Sequence, residues 1–184
     1  MAASGNVLPF APADPEECRA PEVWLPTVLA WCRRLGGPRI DAEDAAQDAM
    51  ITILKRHDSL RDRRAERAFV FGITRRTLAA HRRTAWVRRW VGPPAYESAC
   101  ARAHPDVAED ARRQAILVER TLQALTSDQR EVIVLVDIEE RTMQETAELL
   151  DVPTGTVKSR LHRAREAFAK ASVETGLAAV RELP

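Results

Sequence analysis

The sequence predicts an all-α chain of two small helical domains joined by a flexible linker, and three observations carry that prediction. Apolar residues recur at helical rather than strand spacing along most of the 184 residues. Two T-x-x-E/Q boxes, Thr126 with Gln129 and Thr142 with Glu145, mark helix starts in the last third, because each N-cap hydroxyl and its partner satisfy one another's orphan backbone N–H groups. Between residues 85 and 112 the periodicity lapses among Pro93, Pro94 and Pro105, which separates the two halves. The expected units are a mobile arm at 1–20, a first domain at 21–84, the linker at 85–112, a second domain at 113–175 and a tail at 176–184.

In the arm, Pro9, Pro12 and Pro15 among alanines and acids oppose helix formation. From Pro21 onward Trp24, Val28, Trp31 with Cys32, and Leu35 form one stripe, which Gly36-Gly37-Pro38 ends. Asp41 then caps a helix whose inner face is Ala45, Ala46, Ala49, Met50, Ile53 and Leu54. Glu43, Asp44, Gln47 and Asp48 stay outside on its first turns, where carboxylates complement the helix dipole. On the residues alone, that role and a contact with a partner are both open.

An arginine-rich connection from Leu60 to Arg67 leads into an amphipathic helix carrying Phe69, Val70, Phe71, Ile73, Thr77 and Leu78 among Arg75, Arg76, Arg82 and Arg83. Aromatic rings beside a dense basic row suit single-stranded DNA, since bases stack on rings while guanidinium groups neutralise phosphates. The same Phe69 and Phe71 also fit a core with arginine stems folded around them. Trp86 and Trp90 either extend this helix or belong to the linker. From Arg112, Ile116, Leu117, Leu122 and Leu125 open the second domain; Val132 to Val136 has strand-like composition, but the cap at Thr126 predicts a buried helix instead.

The helix opened by Thr142 carries Ala147 and ends near Leu149-Leu150, where Asp151-Val152-Pro153 stops it. After that tight turn Val157, Leu161, Ala164 and Phe168 form a buried stripe, which leaves Lys158, Ser159, His162 and Arg163 together on the opposite face. Residues 158–170 hold Lys158, Arg160, Arg163, Arg165 and Lys170 against Glu166 alone, a local balance of +4. A basic helix presented after a short turn suits the major groove of duplex DNA.

The formal net charge of +1 conceals strong segregation. Residues 61–90 contain ten arginines against Asp62 and Glu66, or +8, whereas residues 14–22 and 41–48 are acidic. One surface for a polyanion and another for a protein is the expected consequence. Cys18, Cys32 and Cys100 show neither Cys-x-x-Cys nor Cys/His spacing, so no disulfide framework, metal or cofactor is expected, and the thiols are read as free in a reducing cytoplasm. No signal peptide or bilayer-spanning stretch is expected. Dispersed Asp, Glu and His residues without a nucleophile elbow or phosphate-cradling loop give no support for catalysis.

Taken in order, residues 22 to 175 resemble the extracytoplasmic-function (group IV) sigma factors of bacterial RNA polymerase, with a sigma region 2 helical bundle followed by a sigma region 4 helix-turn-helix. Asp41-Ala-Glu-Asp-Ala-Ala-Gln-Asp-Ala-Met is similar to the family's A-E-D-x-x-Q helix, which implies that Glu43, Asp44, Gln47 and Asp48 bind core polymerase at the β′ clamp helices. The segment from Arg61 to Arg83 resembles the element that melts and holds the minus-ten region as a single strand, implying roles for Arg61, Arg63, Arg64, Phe69, Phe71, Arg75, Arg76, Arg82 and Arg83. It departs from the family's aromatic-x-x-Arg-Ile-Ala-x-Asn run in that Gly72 replaces the arginine and Arg76 the asparagine, so the family's base preference is not carried over. Thr154-Gly-Thr-Val-Lys-Ser-Arg-Leu-His-Arg-Ala-Arg resembles the minus-thirty-five recognition helix. By that likeness Lys158, Ser159, His162 and Arg163 approach base edges, Arg160 and Arg165 hold phosphates, and Thr156 joins the DNA-binding set. The implied partners are core polymerase through β′ clamp and β flap, promoter DNA and an anti-sigma factor. A competing reading is an autonomous helix-turn-helix regulator that binds duplex DNA as a dimer; it leaves the basic, aromatic residues 61–83 without a task.

Overall fold

A computed structural model describes residues 21–60, 62, 65–91 and 109–180, and every regular element among them is helical. The expected arm, Arg61, Arg63, Arg64, residues 92–108 and the last four residues lie outside the described residues.

The first half is built on three helices. After a 3-10 turn at Pro21–Trp24, α1 spans Leu25–Gly36 and buries Val28, Trp31, Cys32 and Leu35, the stripe expected from spacing. Gly37, at φ +96, ends it in a conformation that side chains with a Cβ rarely adopt. Helix α2, Ala42–Arg56, begins where the Asp41 carboxylate accepts the backbone N–H groups of Glu43 at 2.9 Å and Asp44 at 3.1 Å. Its alanines at 45, 46 and 49 are buried with Met50 and Ile53 and let α1 and α3 approach closely. Leu54, expected on the inner face, is 43% exposed instead. It lies one residue, about 100° of helix rotation, beyond Ile53, on the outer flank.

Helix α3 runs without a break over Glu66–Val91, past the expected boundary at residue 84, and buries Val70, Phe71, Ile73 and Leu78. Phe71 meets Trp31 edge to face, with ring centroids 5.1 Å apart, and Trp24 stacks on Trp31 at 6.5 Å. Such pairs add roughly 0.5–1.5 kcal/mol beyond their burial.

The second half begins with α4, Glu109–Gln123. Helix α5, Ser127–Ile133, opens with the reciprocal Thr126 and Gln129 box. Residues 132–135 are buried and helical, as the cap implied, but from Val134 to Ile138 the turns widen into a π-helix that spacing does not foretell. Glu140, at φ +55, then turns the chain. Helix α6, Met143–Leu150, opens with the Thr142 and Glu145 box and closes at Asp151 in the left-handed region. Helix α7, Thr154–Thr175, follows Pro153 directly and ends at Gly176, φ +79, before the short α8, Leu177–Val180.

The two halves pack against each other. Trp31, Leu35 and Phe71 belong to the same buried cluster as Leu122, Leu125, Val132, Leu135 and Leu150. Helix α1 packs on α4 and α5, and α3 packs on α6.

Candidate nucleic-acid interface

The helix-turn-helix carries its basic face outward. In α7 Val157, Leu161 and Ala164 are buried while Lys158, Ser159, His162 and Arg163 are all exposed, as spacing predicts; Phe168, expected in the same stripe, is only half-buried, packed at the edge of the core. Thr156 is half-buried, and its carbonyl accepts the Ser159 hydroxyl at 3.0 Å. The Arg163 Nε donates to the Ser159 carbonyl one turn back at 3.2 Å, which holds the guanidinium along the helix. The His162 ring lies 3.5 Å from Glu166 on the same exposed surface.

Arg160 and Arg165 are differently placed. The Arg160 guanidinium stands 3.1 Å from Asp128 at the start of α5, and Arg165 grips Asp137 with two hydrogen bonds of 3.1 and 2.5 Å. Both pairs are solvent-accessible and so worth about 0–1 kcal/mol each, little enough for a phosphate to displace the carboxylate.

On α3 the strand-binding set divides. Arg76 and Arg83 face solvent, and Phe69 is half-buried against the core. Phe71 is fully buried under Trp31, so its ring serves the core and is withdrawn as a stacking surface for bases. Arg75 is turned toward the second half: its Nε meets the Glu131 carboxylate at 3.0 Å and its Nη1 reaches the Leu150 carbonyl at 3.4 Å. Arg82 donates to the Leu35 carbonyl at 3.2 Å, and burial pulls its pKa down. Glu131 is pushed above the ordinary carboxylate range by burial, with Arg75 opposing the shift.

The outer face of α2 is acidic. Glu43, Asp44, Gln47 and Asp48 are all exposed, and Arg33 stands 3.5 Å from Glu43. His81 of α3, which spacing gave no reason to single out, hydrogen-bonds Asp48 at 2.8 Å and lies 3.8 Å from Asp44. Among the described residues these three are the group of possible metal ligands whose donor atoms fall within 4.8 Å of one another, and both carboxylates lie more than half open to water.

Sequence reasoning also missed three residues at the seam between the halves. Arg67 binds Glu139 at 2.5 Å while its guanidinium lies 5.3 Å from the centroid of the Trp31 ring. The Trp31 indole N–H donates to the other oxygen of Glu139. Arg67 sits in the same basic run as its neighbours and was legible there, whereas nothing local marks Glu131 or Glu139. No described helix is long and apolar enough to cross a membrane.

Comparison with known proteins covers both halves. Residues 22–88 match Sigma-70 region 2, and residues 115–168 match Sigma-70, region 4. Over 137 residues the chain is 33% identical to an RNA polymerase sigma-E factor of Streptomyces avermitilis, covering 74% of each chain. Over 158 residues it is 30% identical to the ECF RNA polymerase sigma factor SigW of Bacillus subtilis, covering 81% of this chain and 84% of that one. Among solved structures it resembles the sigma factor RpoE of Bartonella quintana, determined in complex with the anti-sigma factor NepR. The TM-score there is 0.67 at 24% identity, covering 82% of this chain and 92% of the other, a likeness of fold.

Proposed function

The chain belongs to the extracytoplasmic-function group of RNA polymerase sigma factors, and from that premise we propose a division of labour among its surfaces. It binds core RNA polymerase and directs it to promoters for initiation, acting by binding rather than by chemistry of its own. In our reading the unit at 21–84 engages core polymerase and the minus-ten strand, and the unit at 113–175 engages the minus-thirty-five duplex, the two connected through residues 85–112.

Glu43, Asp44, Gln47 and Asp48 form the polymerase-facing patch, opposite the β′ clamp helices. Arg61, Arg63, Arg64, Phe69, Arg75, Arg76, Arg82 and Arg83 hold the melted strand, by charge more than by stacking now that Phe71 is committed to the core. Lys158, Ser159, His162 and Arg163 meet base edges, with Thr156 beside them, and Arg160 and Arg165 meet phosphates. The further partners are the β flap and an anti-sigma factor, and the working compartment is the cytoplasm. The observation that carries this reading is the exposed quartet on α7, set opposite a buried Val157, Leu161, Ala164 stripe and directly after the capped α6.

The test is transcription in vitro with purified core polymerase on a library of genomic fragments, with and without this chain. New discrete start sites are expected, and aligned upstream sequences then define both promoter elements. Asp44→Lys with Asp48→Lys should weaken core binding severalfold with the helical circular dichroism unchanged. Retained affinity in that variant would return those acids to the dipole role, and absence of any core binding by the unaltered chain would favour the autonomous dimeric regulator.

A further inference from the structure

The seam between the halves has a chemical logic of its own. The first half contributes Arg67, Arg75 and the Trp31 indole, and the second half meets all three with two glutamates. The Glu139 side chain is 8% exposed and that of Glu131 5%, so these are buried carboxylates rather than loose surface acids. Each offers oxygens to a guanidinium in the manner of a phosphate, since carboxylate and phosphate share the geometry that Arg binds most strongly. The pairs join residues 72, 56 and 108 positions apart in the chain, and they join only while the halves are packed together.

We propose that the Glu131 and Glu139 face of the second half is an internal competitor of the promoter strand, occupying with carboxylates Arg75, which belongs to the strand-holding set above, and its neighbour in the same basic run, Arg67, which this proposal adds to that set. The inference rests on the strand-binding role of α3 proposed above. Closure and strand binding are then mutually exclusive at Arg67 and Arg75, because one guanidinium edge cannot serve a buried carboxylate and a phosphate together. A ligand that binds only the open form has its affinity reduced by the fraction of molecules that are open. The recognition quartet on α7 stays exposed in the closed form, so the competition is selective: it silences the minus-ten surface and spares the minus-thirty-five one.

The seam is also built to give way. Arg130 is 5% exposed against Gly37, its Nε and Nη1 lack hydrogen-bond partners, and burial with nearby Arg82 pulls its pKa down to about 10. A buried cation without full compensation costs the closed form stability. Opening returns Arg130 to water at the same moment as it frees Arg67 and Arg75. Core polymerase or promoter DNA therefore works against a latch that is specific yet strained.

The experiment compares the full chain with Glu131→Gln/Glu139→Gln, by small-angle X-ray scattering and by anisotropy on a labelled random-sequence single-stranded oligonucleotide across a salt series. Circular dichroism verifies retained helix. The expected result is a larger radius of gyration, at least tenfold tighter strand binding, and a salt slope steeper by about 1.4, or ~0.7 for each arginine released to the strand. Arg67→Gln/Arg75→Gln breaks the same pairs from the other side, and it should expand equally with no gain in affinity. Unchanged dimensions and unchanged affinity in both variants would overturn the latch while leaving the transcription test intact. Expansion of Glu131→Gln/Glu139→Gln with no gain in strand binding would overturn the competition, whereas loss of strand binding in Arg76→Gln/Arg83→Gln, at residues exposed outside the seam, separately decides the strand-binding role of α3.

Discussion

Replacing Lys158 and Arg163 by alanine separates base reading from phosphate attraction on the recognition helix. Both side chains are exposed, and the hydrogen bond that Arg163 donates to the Ser159 carbonyl stays within its own helix. Their loss should leave the melting free energy within ~0.5 kcal/mol of the parent. If each makes a good bidentate contact with a guanine edge, each contributes ~1–3 kcal/mol of discrimination. Together that is about 2–6 kcal/mol, or roughly 30-fold to 10⁴-fold in the preference for a promoter duplex over a random one, at ~1.4 kcal/mol per factor of ten. Arg160→Ala with Arg165→Ala is the complementary perturbation. Those residues should act on phosphates, so specific and random duplexes should weaken alike and the logarithmic salt slope should fall by about 1.8, from ~0.9 per contact. The assay is equilibrium binding of polymerase reconstituted with each variant to a promoter duplex and to a scrambled one, across a salt series. Refutation is a Lys158→Ala/Arg163→Ala protein whose preference is unchanged while its slope falls by about 1.8, since both groups would then be holding the backbone.

Two further predictions concern the scaffold. Thr142→Ala removes the hydroxyl that accepts the Glu145 N–H at 3.2 Å and leaves a half-made box at the start of an eight-residue helix, at a cost of ~1 kcal/mol. Calorimetry should register a drop of about 2–4 °C, and an unchanged melting temperature would show that α6 is held by packing alone. The Glu131 carboxyl has a folded-state pKa raised by burial, so the folded chain holds that proton more tightly than the unfolded one. Its contribution to stability is therefore fully present below the ordinary value near 4.5 and is lost as pH rises through the raised one. Denaturant titrations between pH 4 and 7 should show the parent gaining on Glu131→Gln as pH falls, and a gain in the opposite direction would mean that the Arg75 pairing outweighs the desolvation.

The sequence by itself determined what depends on neighbours within a turn or two. Asp41, Thr126 and Thr142 cap because a short polar side chain can reach backbone N–H groups two or three residues ahead, whatever lies farther away. The inward stripe of α7 follows from periodicity, and the exposed quartet follows from the stripe. Periodicity misled at Leu54, which neighbours the stripe without belonging to it, and it said nothing of the π-turn at Val134–Ile138, whose spacing leaves no signature in residue type. Tertiary structure alone decided between the two roles open to Phe71, because only the arrival of Trp31 from α1 buries that ring. It also decided that Arg75 faces a glutamate instead of solvent and that Arg165 is held by Asp137. Basic character is written in the residue, but the anion that meets it is chosen by packing between helices far apart in the chain. Local pattern carries no information about that choice, since a guanidinium binds a carboxylate and a phosphate by the same geometry.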